Sequence, residues 1–168
     1  MVQQVVLAGT TLALLVSAMV AGLLFAFSVA VMTALGRLPP PQGIQAMQAV
    51  NVAIVNPLFL AVFLGTAALS LALAVAAPLG ATDAGARLGL LLGAALYLAG
   101  VIGVTAACNI PGNEALAAFD PAGVSATATW ARYLARWSGW NHVRSVAAAG
   151  STLAFAHALW WLGRSAGG

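Results

Sequence analysis

Between Val5 and Leu35 the chain carries no charged side chain, and the first one it meets is Arg37. A helix needs roughly 20 apolar residues to cross the hydrocarbon of a bilayer, so this run is long enough to span it with tilt or overhang. A cleavable signal peptide would place a basic region before a shorter apolar stretch, so the run reads as a retained span. Three more apolar runs come after it, and the expected spans cover about 5–35, 56–77, 88–108 and 141–163. With 62% hydrophobic residues and only 5% charged ones, a soluble domain could not cover its own surface, whereas lipid accepts apolar side chains on the outside of a bundle. The expected fold is all-α: a single integral membrane domain over residues 1–168, built as a four-transmembrane-helix bundle with short interfacial helices in its first and third connections.

The breaks between runs have local causes. Pro39, Pro40 and Pro41 stop the first helix, and Gln42 to Val55 then places Ile44, Met47, Val50 and Ile54 at helical spacing, as an interfacial segment would. Asn56-Pro57 reads as a cap followed by proline in the first turn, opening the second span. Pro78 and Gly80 close that span, and a short polar link from Gly80 to Arg87 leads into the third. Gly89, Gly93, Gly100 and Gly103 there suit close backbone approach in lipid. The long third connection, Asn109 to about Asn141, carries a helical stretch from Ala126 to Trp140. The fourth span ends at the interfacial Trp160, Trp161 and Arg164. Arg37, Arg132, Arg136 and Arg144 fall near the first and third connections, against Arg87 and Arg164 on the other side. The positive-inside rule therefore puts both termini outside the cytoplasm.

Polar residues are rare in such a chain, and most of the unusual ones converge. Antiparallel threading brings Asn51 and Asn56, Asn109 and Asn113, and Asn141, His142 and Arg144 to one membrane face, the signature of a binding mouth. Helix capping explains Asn56 equally well, and an interfacial aromatic belt explains Trp130, Trp137 and Trp140. On a helical projection Trp130, Tyr133, Trp137, Asn141 and Arg144 share a stripe that continues as Ala148, Thr152 and Phe155. Aromatic surface thus leads to an amide and a guanidinium above an apolar wall, which suits a flat, partly polar aromatic ligand. His142 lies off that stripe and joins it only if the helix breaks near Gly139.

Several chemistries are disfavoured. All three acids, Asp83, Glu114 and Asp120, fall in the expected connections, so no span carries the carboxylate of many ion-coupled transporters. The two histidines, His142 and His157, are about 22 Å apart along one helix at 1.5 Å per residue, too far to share a metal or haem. Cys108 is the single cysteine, which rules out a thiol pair within the chain. No basic run marks a nucleic-acid partner.

Four motifs in order, Gly22-Leu-Leu-Phe25-Ala-Phe27-Ser28, Asn56-Pro57, Asn109-Ile-Pro111-Gly-Asn113 and Trp137-Ser-Gly-Trp140-Asn141-His142-Val-Arg144, resemble those of the anthrone-oxygenase-like membrane proteins, across nearly the whole chain. Thr33 after Met32 and Gly112 depart from the family pattern, the second in a way that loosens the mouth. The resemblance implies oxidation of an anthrone-type phenolic polycycle to a quinone by O2, without metal or organic cofactor, as in polyketide pathways, and residence in a bacterial inner membrane.

Such a reaction needs a base, donors for an enolate oxygen and an apolar slot. The candidate base is His142, and the candidate oxyanion donors are Arg144 and Asn141. Asn56, Asn109, Asn113, Tyr133, Trp137 and Trp140 are candidate substrate-binding residues. Two other readings remain at this stage. A binding or carrier protein for a lipophilic quinone-like molecule needs the donors but no base, and a structural membrane subunit needs neither. Homo-oligomerisation is compatible with all three.

Overall fold

A computed structural model describes residues 2–80 and 83–166, and among them the fold is entirely helical. Helix α1 runs Val2–Leu35, α2 Pro40–Ala53, α3 Pro57–Gly80, α4 Ala84–Ala117 and α5 Ala126–Ala166. All but α2 are long and apolar enough to cross a membrane. Helix α1 packs against α3 and α5, and α4 does the same; α2 leans on α5 and on the end of α4. Leu58, Leu79, Val146 and Leu153 are among the large apolar residues left on the outside, as a bundle solvated by lipid requires.

The punctuation works locally. Pro40 and Pro41 occupy the first turn of α2, where a missing N–H costs nothing. Asn56 caps α3, its Oδ1 accepting the Phe59 N–H at 3.0 Å. Asp83 caps α4 by accepting from the Gly85 and Ala86 N–H groups at 2.7 and 3.2 Å, so of the expected polar link only residues 81 and 82 lie outside the described residues.

Two expected boundaries move. Helix α4 does not end near Cys108: it continues through Asn109 and Asn113 to Ala117. Nor is Ala126 to Trp140 a separate interfacial helix, because α5 runs unbroken for 41 residues. Only residues 118–125 separate the two. Proline at 111 does not stop α4 because it sits in the first turn of a helical segment that succeeds a wider, π-helical one, Thr105–Asn109.

The core divides along the bundle axis. Val6, Leu73, Ala86, Leu90, Phe155 and Leu162 fill the end near Asp83. Val20, Phe63, Tyr97, Val101 and Ala148 fill the middle, and Met32, Ile44, Met47, Leu116, Trp130, Tyr133 and Trp137 the opposite end. Lipid tails are as apolar as leucine, so helices here associate through close packing and hydrogen bonds. A Cβ on Gly89 would lie 2.8 Å from the Ala154 carbonyl oxygen and from the Ala158 nitrogen, which places the α4 and α5 backbones in contact. Buried hydroxyls bridge helices, with Tyr97 donating to the Phe63 carbonyl at 3.0 Å and Ser151 to the Gly93 carbonyl at 2.8 Å.

Candidate functional site

Helix α5 turns Trp130, Tyr133, Trp137, Asn141 and Arg144 inward, and all five are buried. The 3.6-residue period alone accounts for this alignment. Arg144 is 6% exposed, and no carboxylate pairs with it among the described residues. One terminal nitrogen donates to Asn141 Oδ1 at 2.7 Å and the other to Thr105 Oγ1 at 3.1 Å, while the guanidinium carbon lies 5.3 Å from the Trp137 ring centroid. Arg144 Nε is buried without a partner. A charge held only by neutral dipoles and an aromatic face is expensive to bury, so it stands ready for an anionic oxygen.

Asn141 is fixed from both sides. Its Nδ2 donates to the Leu24 carbonyl and to Ser28 Oγ, both at 2.8 Å, while its Oδ1 accepts from Arg144. Asn113 is held as firmly, its Oδ1 accepting from Tyr133 Oη–H at 2.9 Å and Trp137 Nε1–H at 3.0 Å. Indole N–H only donates, so the amide orientation is settled and the Asn113 NH2 is the end left over. Asn109 donates weakly to the Trp137 carbonyl at 3.5 Å, and its Oδ1 is buried without a partner.

Three members of the network come from π-helical stretches. Ser28 lies in Phe27–Val31 of α1, and Thr105 and Asn109 lie in Thr105–Asn109 of α4. In such turns the i→i−5 pattern admits an extra residue and re-aims the helix beyond it, and they concentrate at functional sites. Here they turn side chains of both flanking helices onto the polar stripe of α5.

A cavity of about 360 Å3 adjoins this network, within the range of small-molecule sites. Val20, Leu24, Phe27, Met47, Phe59 and Phe63 are among its apolar lining, and Asn51, Thr105, Asn113, Trp137 and Arg144 supply its polar side. Asn51 Nδ2 is a second buried donor without a partner. The cavity thus has an apolar body and a donor-rich edge, with no carboxylate or histidine in its lining.

Of the candidate catalytic and binding residues, Asn109, Asn113, Tyr133, Trp137, Asn141 and Arg144 come together, linked through Trp137. The others do not. His142 is exposed, because α5 passes Gly139 without a break and a one-residue step turns its side chain some 100° from Asn141. Trp140 is 37% exposed and outside the cavity lining, and Asn56 is an exposed cap. His157, exposed at the far end, accepts from Trp161 Nε1–H at 3.1 Å. Ser28, Thr105 and Asn51 are members of the site beyond the candidate catalytic and binding residues. Antiparallel threading already puts Asn51 at this mouth and Ser28 closes the first of the four motifs, whereas nothing in the sequence separates Thr105 from the other small residues of α4.

The family model described as anthrone oxygenase matches residues 58–154, more than half of the chain. The matched segment contains α3 from Leu58 on, α4 and the α5 stripe from Trp130 through Arg144, and leaves out Ser28 and Asn51. No curated protein and no solved structure matches.

Proposed function

The chain belongs to the anthrone oxygenase family, and on that premise we propose that it oxygenates an anthrone-type or related phenolic polycycle in the cavity beside Arg144, with O2 as co-substrate. One observation carries this reading: Arg144 Nε and Asn51 Nδ2, two buried donors without partners, belong to residues lining the same apolar cavity. A planar ketone entering that cavity brings the acceptor that this edge lacks.

In this reading the substrate carbonyl lies toward Arg144, Asn51 and the Asn113 NH2. These donors stabilise the enolate that forms when the ring methylene loses a proton to water at the cavity mouth. One good oxyanion donor is worth about 3 kcal/mol, roughly a hundredfold in rate. The enolate reduces O2 and a C–O bond forms at the former methylene carbon, giving a hydroperoxide. Loss of the remaining hydrogen there, with cleavage of the O–O bond, releases water and leaves the second carbonyl of the quinone. Overall, one CH2 and one O2 become one C=O and one H2O. His142 takes no part, since its side chain lies outside the lining.

The reading needs no metal or organic cofactor, and among the described residues no three His, Cys, Asp or Glu side chains group as metal ligands. It places the protein in a bacterial inner membrane with both termini outside the cytoplasm. Support for that orientation is the gathering of Arg37, Arg132, Arg136 and Arg144 at the site end.

Oxygen uptake and quinone formation by purified protein in detergent, measured against a protein-free control, test the proposal. Acceleration that survives chelators and is lost in Arg144→Ala supports it. Tight quinone binding with no acceleration for several anthrones would replace it with a carrier role, and a stoichiometric metal required for turnover would overturn the cofactor-free step.

A further inference from the structure

Trp137 borders a second hollow, an open groove of about 770 Å3 between the outer part of α4 and the first turns of α5. Cys108, Gly112, Leu116, Arg132, Arg136 and Trp137 are among its lining. Arg132 and Arg136 are exposed, and neither makes a hydrogen bond, ion pair or ring contact among the described residues. Glu114, on the neighbouring stretch of α4, is exposed and forms no ion pair with either. The groove therefore carries two uncompensated positive charges above an otherwise largely apolar floor.

We infer that this groove holds an anionic phospholipid, its phosphate bound by Arg132 and Arg136 and the top of an acyl chain lying against Leu116 and Trp137. Such a lipid site is independent of the oxygenase function. Four residues apart on an unbroken helix, the two side chains start roughly 6 Å from one another on one face and can converge on a single phosphate. Guanidinium is the cation best matched to that group, because its planar fork donates to two oxygens at once. Depth agrees as well. Arg136 lies about 12 Å along the axis beyond Arg144, at the end where the apolar part of α5 gives way to headgroup surroundings, and an arginine stem there lies along apolar surface with its head in the polar zone. A soluble anion would use the charges but not the apolar floor, whereas a lipid uses both.

Cys108, the single cysteine and half-buried in the groove, is a built-in reporter. Full-length protein is reconstituted in vesicles of phosphatidylcholine alone or with phosphatidylglycerol, and the rate of Cys108 alkylation by the uncharged reagent N-ethylmaleimide is compared. Phosphatidylglycerol should slow alkylation at least about fivefold, and Arg132→Gln/Arg136→Gln should abolish the difference. Both positions are exposed, so the variant is expected to fold; monodisperse elution checks this, and each single substitution should show part of the effect. Mass spectrometry of gently purified wild-type protein should find anionic lipid retained in preference to zwitterionic lipid. Equal alkylation rates in the two vesicles overturn the inference, as does a difference that persists in the double variant, which would reflect surface charge alone. Equal protection by inorganic phosphate in phosphatidylcholine vesicles would make this a soluble-anion site and overturn the lipid assignment.

Discussion

Where α4 passes Ala158, a methyl group added at Gly89 would meet backbone atoms at 2.8 Å; where the same helix passes Tyr133, one added at Gly112 would find its nearest neighbour at 3.9 Å. The two ends of the bundle are built from the same helices under opposite rules. Near Asp83 the backbones touch, and alanine, glycine, leucine, one valine and one phenylalanine fill the space. Near Asn113 the backbones stand farther apart, π turns interrupt α1 and α4, and the space is shared among aromatic rings, amides, a guanidinium and a cavity. In lipid, where apolar contact between helices gains little over contact with solvent, the first end supplies the packing that holds the bundle closed. The second can then keep a buried charge and orphaned donors, arrangements that cost stability.

The sharpest break in this contrast is Gly89→Val. It should cost about 3 kcal/mol or more, because the atoms in the way are backbone, and it should appear as loss of monodisperse protein. Close behind comes Arg144→Ala, expected to lower anthrone oxidation roughly a hundredfold while the protein still folds. Arg144→Lys should recover little of that activity, since an ammonium does not reproduce the planar donor. Arg144→Met should match or exceed wild type in thermal stability, because an unpaired buried charge is replaced by apolar volume; a clear fall in melting temperature would show that the charge is structural.

Asn141→Ala is intermediate. It strands the Arg144 nitrogen, the Leu24 carbonyl and Ser28 together, and should cost about 1–3 kcal/mol of stability as well as activity. Smallest are two substitutions that should do no harm. Gly112→Ala should cost nothing and gain at most about 1 kcal/mol of helix propensity, in contrast to Gly89. His142→Ala should leave turnover within about twofold, as expected of a side chain that touches no reacting group. A hundredfold loss there would return His142 to the role of base and require α5 to rearrange on substrate binding.

Much of this architecture is legible in the sequence because lipid leaves so few choices. Runs without charge become spans, Asn56-Pro57 becomes a cap, and the 3.6-residue period gathers Trp130, Tyr133, Trp137, Asn141 and Arg144 on one face. The misplaced boundaries trace to reading proline and glycine as breaks. Pro111 and Gly112 suggest an end to α4, yet the preceding π turn hands the chain on, with the Ile110 N–H bonded to the Thr105 carbonyl. Gly139 suggests a break that would bring His142 inward, yet a single glycine flanked by tryptophan and arginine-rich turns costs only about 1 kcal/mol and the helix runs through it. Thr105 stays hidden in the sequence for a related reason. Its placement depends on helical widening, which leaves no periodic trace in residue type.

That widening also makes residue count part of the site. A π turn holds one residue more than an α-helix would over the same path. Deleting a single residue within Thr105–Asn109 would therefore draw that stretch in to an ordinary helical turn and leave Asn113 beyond it facing as before, whereas the same deletion in an α-helical stretch would rotate everything after it by about 100°, one residue's turn. The side chains re-aimed would be those within the turn itself, so Arg144 would lose Thr105 and the Trp137 carbonyl would lose Asn109 while Asn113 kept its partners. An alignment that opens no gap for a relative lacking this extra residue would pair the wrong asparagines. In comparing such chains, the spacing from Thr105 to Asn113 carries the same weight as the identity of the residues at its ends.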